Sequence, residues 1–411
     1  MRSSTVSSLF LACLGIISFL GLLYLAPPIH QRLSWRVDIL ATYLRGVVSP
    51  VGELPTPIAS QVIEPSDTPT LTLTPAVTSE PTITPTFQPS PTPLPQAVEL
   101  PAPKWEKQDW NNCGPAALAM YLRFYGWEGT QFDISKSIKP AREDRNVNIE
   151  ELAYYARTHA GWLNVQYRVA GSVDLLKTFL ANGFPVMIEE GFYLEETYWP
   201  NDDHWSAHYQ LVTGYDELTK TFIGQDSFKG ANQLLPYDMM DKQWRIFNRV
   251  YMILYPQQQE EVVKAIIGAD WDVNENRKRA LALAQADAEA NPKDAFAWFN
   301  VGTNLVFFER YGEAARAYDT SRTLGLPQRM LRYQFGPFIA YFHAGRTEDL
   351  LELADYALKR TPNSEEALLW KGWALYRKGN LREAKAYFQQ ALDSNPKYQD
   401  ARYALDFISQ Q

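Results

Sequence analysis

A chain of 411 residues is longer than one ordinary hydrophobic core accommodates, so two or more folded units are expected. Hydrophobic residues at 46% and charged residues at 21% are globular proportions, which excludes wholesale disorder and a polytopic membrane protein. A formal net charge of -8 leaves no basic footprint for neutralising phosphates, so nucleic acid is not an expected partner.

Leu9 to Ala26 runs without a charge for long enough to cross a bilayer as a helix, and segment 1–30 reads as a transmembrane anchor. A cleaved signal peptide is the competing reading. Against it, Arg2 is the one positive residue ahead of the run, and Pro27 and Pro28 directly behind Ala26 make a poor cleavage site. Cys13 lies inside the apolar run and Cys113 outside it, so no disulfide between them is expected and the compartment stays open. Residues 31–49 form a juxtamembrane segment whose Arg32, Arg36 and Arg45 favour a cytoplasmic side. Residues 50–103 are crowded with Thr-Pro and Ser-Pro steps, which cannot bury a core and favour extended chain. They read as a disordered stalk. Such a stalk places the soluble domains outside the cytoplasm, with a plain linker as the other reading.

Residues 104–256 alternate helix and strand signals. Gly114–Tyr125, Ile149–Thr158 and Val173–Ala181 read as helices. Pro185–Glu189, Tyr209–Tyr215, Thr221–Gln225 and Arg249–Tyr255 are β-branched or aromatic runs bounded by turn residues, hence strands. Helices first and antiparallel strands after them suit an α+β domain with its helices on one side of a sheet.

From 274 to 411 the pattern is helical alone. Pro292, Pro327, Pro362 and Pro396 mark units 35, 35 and 34 residues apart. Each unit carries an early glycine and a later one at the inter-helix turn: Gly302 and Gly312, Gly336 and Gly345, Gly372 and Gly379. Small and aromatic residues follow, as at Ala314 and Tyr318, Ala354 and Ala357, Ala384 and Phe388. This resembles the tetratricopeptide repeat, a helix-turn-helix unit of this period, and implies an all-α solenoid. The unit starting at Ser364 is the clearest match, whereas the middle one is degenerate, with Pro337 inside its first helix. Asn276–Asn291 reads as half of a leading repeat and Lys397–Gln410 as a capping helix.

The chemistry concentrates at Cys113. It stands at the N-terminus of the first helix, where free N–H groups and the helix dipole stabilise a thiolate. Taken alone, a cysteine is more often a buried hydrophobe. Its company alters that reading. His208 opens an apolar strand and can act as base toward the sulfur. Asp226 ends the following strand, where an antiparallel pairing brings its carboxylate beside the imidazole. Gln108 lies five residues before the cysteine and can help the Cys113 N–H hold an oxyanion. A zinc site from His204, His208, Asp202 and Asp203 requires a helix that Pro200 and the following strand forbid, so neither metal nor other cofactor is expected. The segment Phe192–Trp205 reads either as a substrate-contacting loop or as a surface insertion.

The stretches QDWNNCGPAALAMYLRFYG, FPVMIEEG, HYQLVTGYD and GQDSF resemble the bacteriocin-processing (double-glycine leader) peptidase-like family of the papain-like cysteine peptidases, over Trp105–Pro256. The resemblance implies Cys113 as nucleophile, His208 as base, Asp226 as the residue orienting the ring and Gln108 in the oxyanion hole. It also implies a peptide or protein substrate. Leader peptidases are fused to a transporter with a nucleotide-binding domain, and no phosphate-binding glycine-lysine loop occurs in this chain. The expectation is therefore a membrane-anchored cysteine peptidase or amide hydrolase working through an acyl-enzyme, its repeats presenting a surface to a protein partner. The competing expectation is an inactive peptidase-like domain serving with the repeats as a binding scaffold. Acyl transfer to an amine is a third.

Overall fold

A computed structural model describes residues 15, 18–19, 21, 24–50, 52–58, 93–139, 147–197 and 199–410. The predicted span Leu9–Ala26 falls mostly outside them. Among the described residues no helix is long and apolar enough to cross a membrane. The first full helix, α1, covers Pro27–Val48 and starts on its two prolines.

The domain that follows the proline-rich stretch is built on one sheet. Its strands are β1 (Ala97–Glu99), β2 (Leu163–Arg168), β3 (Val186–Tyr193), β4 (Trp205–Asp216), β5 (Thr221–Asp226), β6 (Gly230–Pro236) and β7 (Tyr251–Pro256). The order is β2-β7-β3-β4-β5-β6, every pairing antiparallel, and β1 extends the β3 side of β4 by pairing Ala97 with Asp216. Helices α2 (Cys113–Phe124), α3 (Gln131–Ile138) and α4 (Ile149–His159) precede β2; α5 (Val173–Ala181), α6 (Tyr237–Arg245) and α7 (Glu260–Ile267) are interleaved with or follow the strands.

The helices do not lie on one side of the sheet, as the sequence order suggested. Met187, Met252 and Leu254 join α2 and α4 in one core, while Val186, Ile188, Tyr251, Ile253 and Tyr255 join α5, α6 and α7 in another. Successive residues of a strand face opposite ways, so a run apolar at every position, such as Tyr251–Tyr255, is the mark of a strand covered on both faces.

The helical region follows directly: α8 (Val273–Ala290), α9 (Ala295–Phe307), α10 (Tyr311–Thr323), α11 (Gly336–His343), α12 (Thr347–Arg360), α13 (Glu365–Arg377), α14 (Leu381–Ser394) and α15 (Gln399–Ile408). The repeated early glycine has a packing cause. A Cβ on Gly302 would sit 2.7 Å from the Tyr318 ring, and one on Gly372 would strike Phe388, so glycine lets each first helix close on an aromatic of the second. Pro337 is the second residue of its helix. It occupies the first turn of α11, where proline is tolerated, and the residues displaced from that shortened helix form a 3₁₀ turn at Gln328–Arg332.

Two expectations about the linker region change. The stalk assigned to 50–103 has ordered ends, because Leu54 is buried and 97–99 is a strand. Residues 49–50 and 52–58 lie across the second helices of two repeats: Arg360 donates to the Ser49 carbonyl, Tyr356 to Gly52 at 2.6 Å, and Arg322 Nε to Pro55 at 3.1 Å. The Ile58 N–H donates to Asp349 Oδ1 at 3.0 Å. Backbone carbonyls that proline-rich sequence leaves without secondary-structure partners are satisfied here by arginine and tyrosine. Both ends of the proline-rich stretch thus belong to the same folded body.

The two domains also share a core instead of sitting apart. Trp205, at the start of β4, packs against Phe247 of its own domain and against Phe296 and Tyr333 of the repeats, with ring centroids 6.0, 5.6 and 5.8 Å away. Asn276 on α8 closes the seam by donating to the Val169 carbonyl at 2.8 Å and accepting the Val169 N–H at 3.1 Å.

Candidate active site

Cys113 is the first residue of α2, behind the turn Asp109–Asn112 in which Asn111 takes the left-handed conformation (φ 51°) that asparagine tolerates. That turn is pinned from α3. Gln131 Oε1 accepts from the Asp109 N–H at 2.6 Å and from Asn112 Nδ2 at 2.8 Å, and Lys139 Nζ donates to the Asn111 carbonyl at 2.7 Å. The cysteine is therefore held at a helix start by a network, and it is 4% exposed.

His208 is the fourth residue of β4 and not its opening residue, because the strand begins at Trp205. Register explains its meeting with Asp226. Gln210 pairs directly with Asp226 and Glu190 with His208, so His208, Gln210, Glu190 and Asp226 share one face of the sheet, His208 and Asp226 being diagonal neighbours. His208 Nε2 lies 2.9 Å from Asp226 Oδ1, which leaves the other ring nitrogen for the sulfur. The same aspartate oxygen accepts the Phe228 N–H at 2.7 Å and the Lys229 N–H at 2.9 Å, and Oδ2 accepts from Gln210 Nε2 at 3.0 Å. Four donors hold one carboxylate.

The electrostatics follow from these bonds. Burial alone would lower the His208 pKa, but hydrogen bonds to Asp226 and Cys113 and the charges of both outweigh it and push the ring up to about 10. For Cys113, burial acts to raise the thiol pKa; the His208 hydrogen bond and charge, the Tyr209 N–H and the Lys139 ammonium bring it below its ordinary value. Burial likewise opposes ionisation of Asp226, and the His208 contact with the Phe228 and Lys229 N–H groups drives its carboxyl far down. Glu190, buried beside this group, is pushed the other way by desolvation. The arrangement favours a thiolate–imidazolium pair oriented by an ionised aspartate.

Gln108 reaches the same place by a separate route. Its N–H donates to the Ser227 carbonyl at 2.9 Å, and its Oε1 accepts from Ser227 Oγ at 2.9 Å. This fixes the amide next to the end of β5. Gln108 lines the cleft together with Cys113.

The cleft, about 340 Å³, is walled by Trp110, Phe192, Leu194, Trp199 and Phe228 and closed on the far side by Arg329, Arg332 and Tyr333. The last three come from the helical repeats, a contribution the sequence reading missed. Tyr333 Oη accepts the Ala207 N–H at 3.3 Å, one residue from His208. The segment Phe192–Trp205 divides its work: Phe192 meets the His208 ring edge-on at 6.3 Å, whereas Asp202 and Asp203 form ion pairs with Arg329. Those aspartates are thus committed to the domain seam, and His204, outside β4, contacts the Leu194 carbonyl at 3.1 Å. A signal for the missed residues did exist. The run Gln328–Tyr333 replaces a regular first helix with buried polar side chains, and such local conflict with a repeat pattern marks a site.

Residues 93–252 match the Peptidase_C39 like family, and residues 365–398 match the tetratricopeptide repeat. No curated protein matches the chain. Among solved structures, a C39-like peptidase from Bacillus anthracis is similar at 15% identity over 40% of this chain and 99% of its own, TM-score 0.32. Xylellain, a cysteine protease from Xylella fastidiosa, is similar at 15% identity over 41% of this chain and 90% of its own, TM-score 0.31. The tetratricopeptide protein YrrB is similar at 22% identity over 38% of this chain and 81% of its own, TM-score 0.29.

Proposed function

We propose that the protein is a cysteine peptidase or related amide hydrolase acting on peptide or protein substrates through an acyl-enzyme. The observation that carries this reading is the hydrogen-bonded chain from Cys113 through His208 to Asp226, lining a cleft large enough for an extended peptide. Cys113 Sγ attacks the scissile carbonyl carbon, and the resulting oxyanion is held by the Cys113 N–H and the Gln108 amide. The C–N bond breaks as the protonated His208 gives its proton to the leaving amine. Water then loses a proton to His208, adds to the thioester and releases the acid with the thiol restored. The family match over 93–252 supports the same class.

In this proposal a span at Leu9–Ala26 tethers the enzyme to a membrane, with the soluble body outside the cytoplasm, and the repeats offer a surface to a protein partner. The helix after that span, α1, is tied to the loop of the cleft by a bond from Asn201 Nδ2 to the Gly46 carbonyl at 3.3 Å, so ordered chain connects tether and site.

The test is thiol alkylation with iodoacetamide across pH, in the parent and in His208→Ala. The parent should react rapidly from mildly acidic pH upward, and the variant only as pH approaches the ordinary thiol value of about 8.5. Equal profiles near that value in both proteins would remove the enzyme reading.

A further inference from the structure

Beside the catalytic cleft lies a smaller pocket of about 40 Å³, formed where α1, the Trp110–Asn111 turn, Trp199 and the repeats meet. Trp110, Asn111, Trp199 and Arg332 line both cavities, so the small pocket and the large one share a wall. Its buried side-chain nitrogens are short of acceptors. Trp110 Nε1, Arg332 Nε and Arg360 Nε are all buried, and none has a hydrogen-bond partner among the described residues. All three atoms can only donate, and a buried donor left without an acceptor costs on the order of 1–3 kcal/mol.

Charge points the same way. Arg45, Arg332 and Arg360 line the pocket, and among the described residues Asp202 is the one carboxylate lining it. Asp202 is already bound to Arg329 and, at 3.0 Å, to Gln328 Nε2; Arg360 stands 3.9 Å from it. Arg332 forms no ion pair among the described residues. It is faced by Arg329, Asp202, Asp203 and Tyr333, and burial followed by the Arg329 charge destabilises its cation, so an incoming anion would relieve it. The volume selects the size of that anion. Since one water needs roughly 10–15 Å³ of such space, the pocket admits a carboxylate and excludes a bulky side chain.

We propose that this pocket binds a carboxylate of the substrate, making the enzyme selective for peptides with an acidic group close to the cleaved bond. The inference rests on the peptidase reading above and adds the substrate class. The subsite does not exist in the catalytic domain alone, because Arg332 and Arg360 belong to the repeats. The degenerate repeat is then a specificity element.

Iodoacetyl peptides that alkylate Cys113 test this in the full-length protein. One series carries a free C-terminal carboxylate behind zero to three glycines, a reach of up to roughly 14 Å. A second carries Glu with an amidated C-terminus at the same positions. Each has a neutral counterpart, an amidated terminus or Gln. At one spacing at least, the parent should react with the carboxylate reagent about 10-fold or more faster than with its neutral twin. Arg332→Gln should bring that ratio to about 1, Arg332→Lys should keep part of it, and Trp110→Phe should reduce it, each ratio being taken against the neutral reagent in the same variant so that a general change in cleft reactivity cancels. Whichever series shows the preference identifies a terminal or a side-chain carboxylate. A ratio near 1 at every spacing in the parent, or a preference that Arg332→Gln and Trp110→Phe leave intact, overturns the proposal. The ratio is read at pH 9 as well as at pH 7, so it stands even if slow reaction of the neutral reagents at pH 7 shows that Cys113 is not activated.

Discussion

Two repeats of the same helical array show what a repeat gives up when it takes part in a site. The last unit, α13 and α14, is regular: Gly372 admits Phe388, Ala384 and Ala391 are buried, and its core is made with its neighbours alone. The middle unit shares the period but not the pattern. Its first helix is cut to Gly336–His343 by Pro337, and the residues ahead of it carry Gln328, Arg329, Arg332 and Tyr333 into contact with another domain. Regularity serves stacking, and its local loss frees side chains to complete a cleft.

Truncating an aromatic in each unit should separate these roles. Phe388→Ala should cost the most stability, about 3–5 kcal/mol from cavity formation, read by urea unfolding, with Cys113 alkylation under native conditions unchanged. Tyr333→Ala should cost a comparable or slightly smaller amount and also slow alkylation at pH 7, since the tyrosine holds the backbone of Ala207 next to His208. If both variants slow alkylation alike, the contrast between the units fails.

Smaller effects sharpen the comparison. Arg322→Ala removes the donors to the Pro55 carbonyl and should cost about 1–3 kcal/mol; limited proteolysis should then cut within 49–58, which the parent protects. A further contrast is a pH dependence at the face of the sheet that carries His208. The folded pKa of His208 is raised from its ordinary value to about 10, so the native state holds this proton more tightly than the unfolded chain does. The stabilisation is therefore complete below about pH 6.5 and is lost as pH rises toward 10. The stability difference between the parent and His208→Gln should shrink over that window. A difference that grows with pH would contradict the imidazolium assignment.

Much of the site was legible because its residues stand in local patterns. Cys113 before a proline-started helix, His208 in an apolar run and Asp226 at a strand end each follow from spacing and propensity, and the β4–β5 register then sets His208 and Asp226 side by side. Boundaries were less legible. Placing His208 at the strand's opening erred because Trp205–Ala207 pair with β3, a contact that no local signal encodes. Strands β1, β2 and β6 and helices α3, α6 and α7 passed unnoticed; among the strands, β1 has only three residues, β6 is half-buried or exposed at all but one position, and β2 at three of its six.

What the sequence determined by itself is therefore the chemistry and the elements that carry it: a thiol at a helix start, an imidazole and a carboxylate on successive strands, and a helical repeat of fixed period. Those depend on periodicity and on neighbours a few residues away. The tertiary structure alone decided that residues 52–58 dock on the repeats, that both faces of the sheet are covered, and that Arg329, Arg332 and Tyr333 close a cleft begun more than two hundred residues earlier. Such contacts are set by which surfaces remain apolar or unpaired once the elements have formed, and that balance is struck between distant parts of the chain.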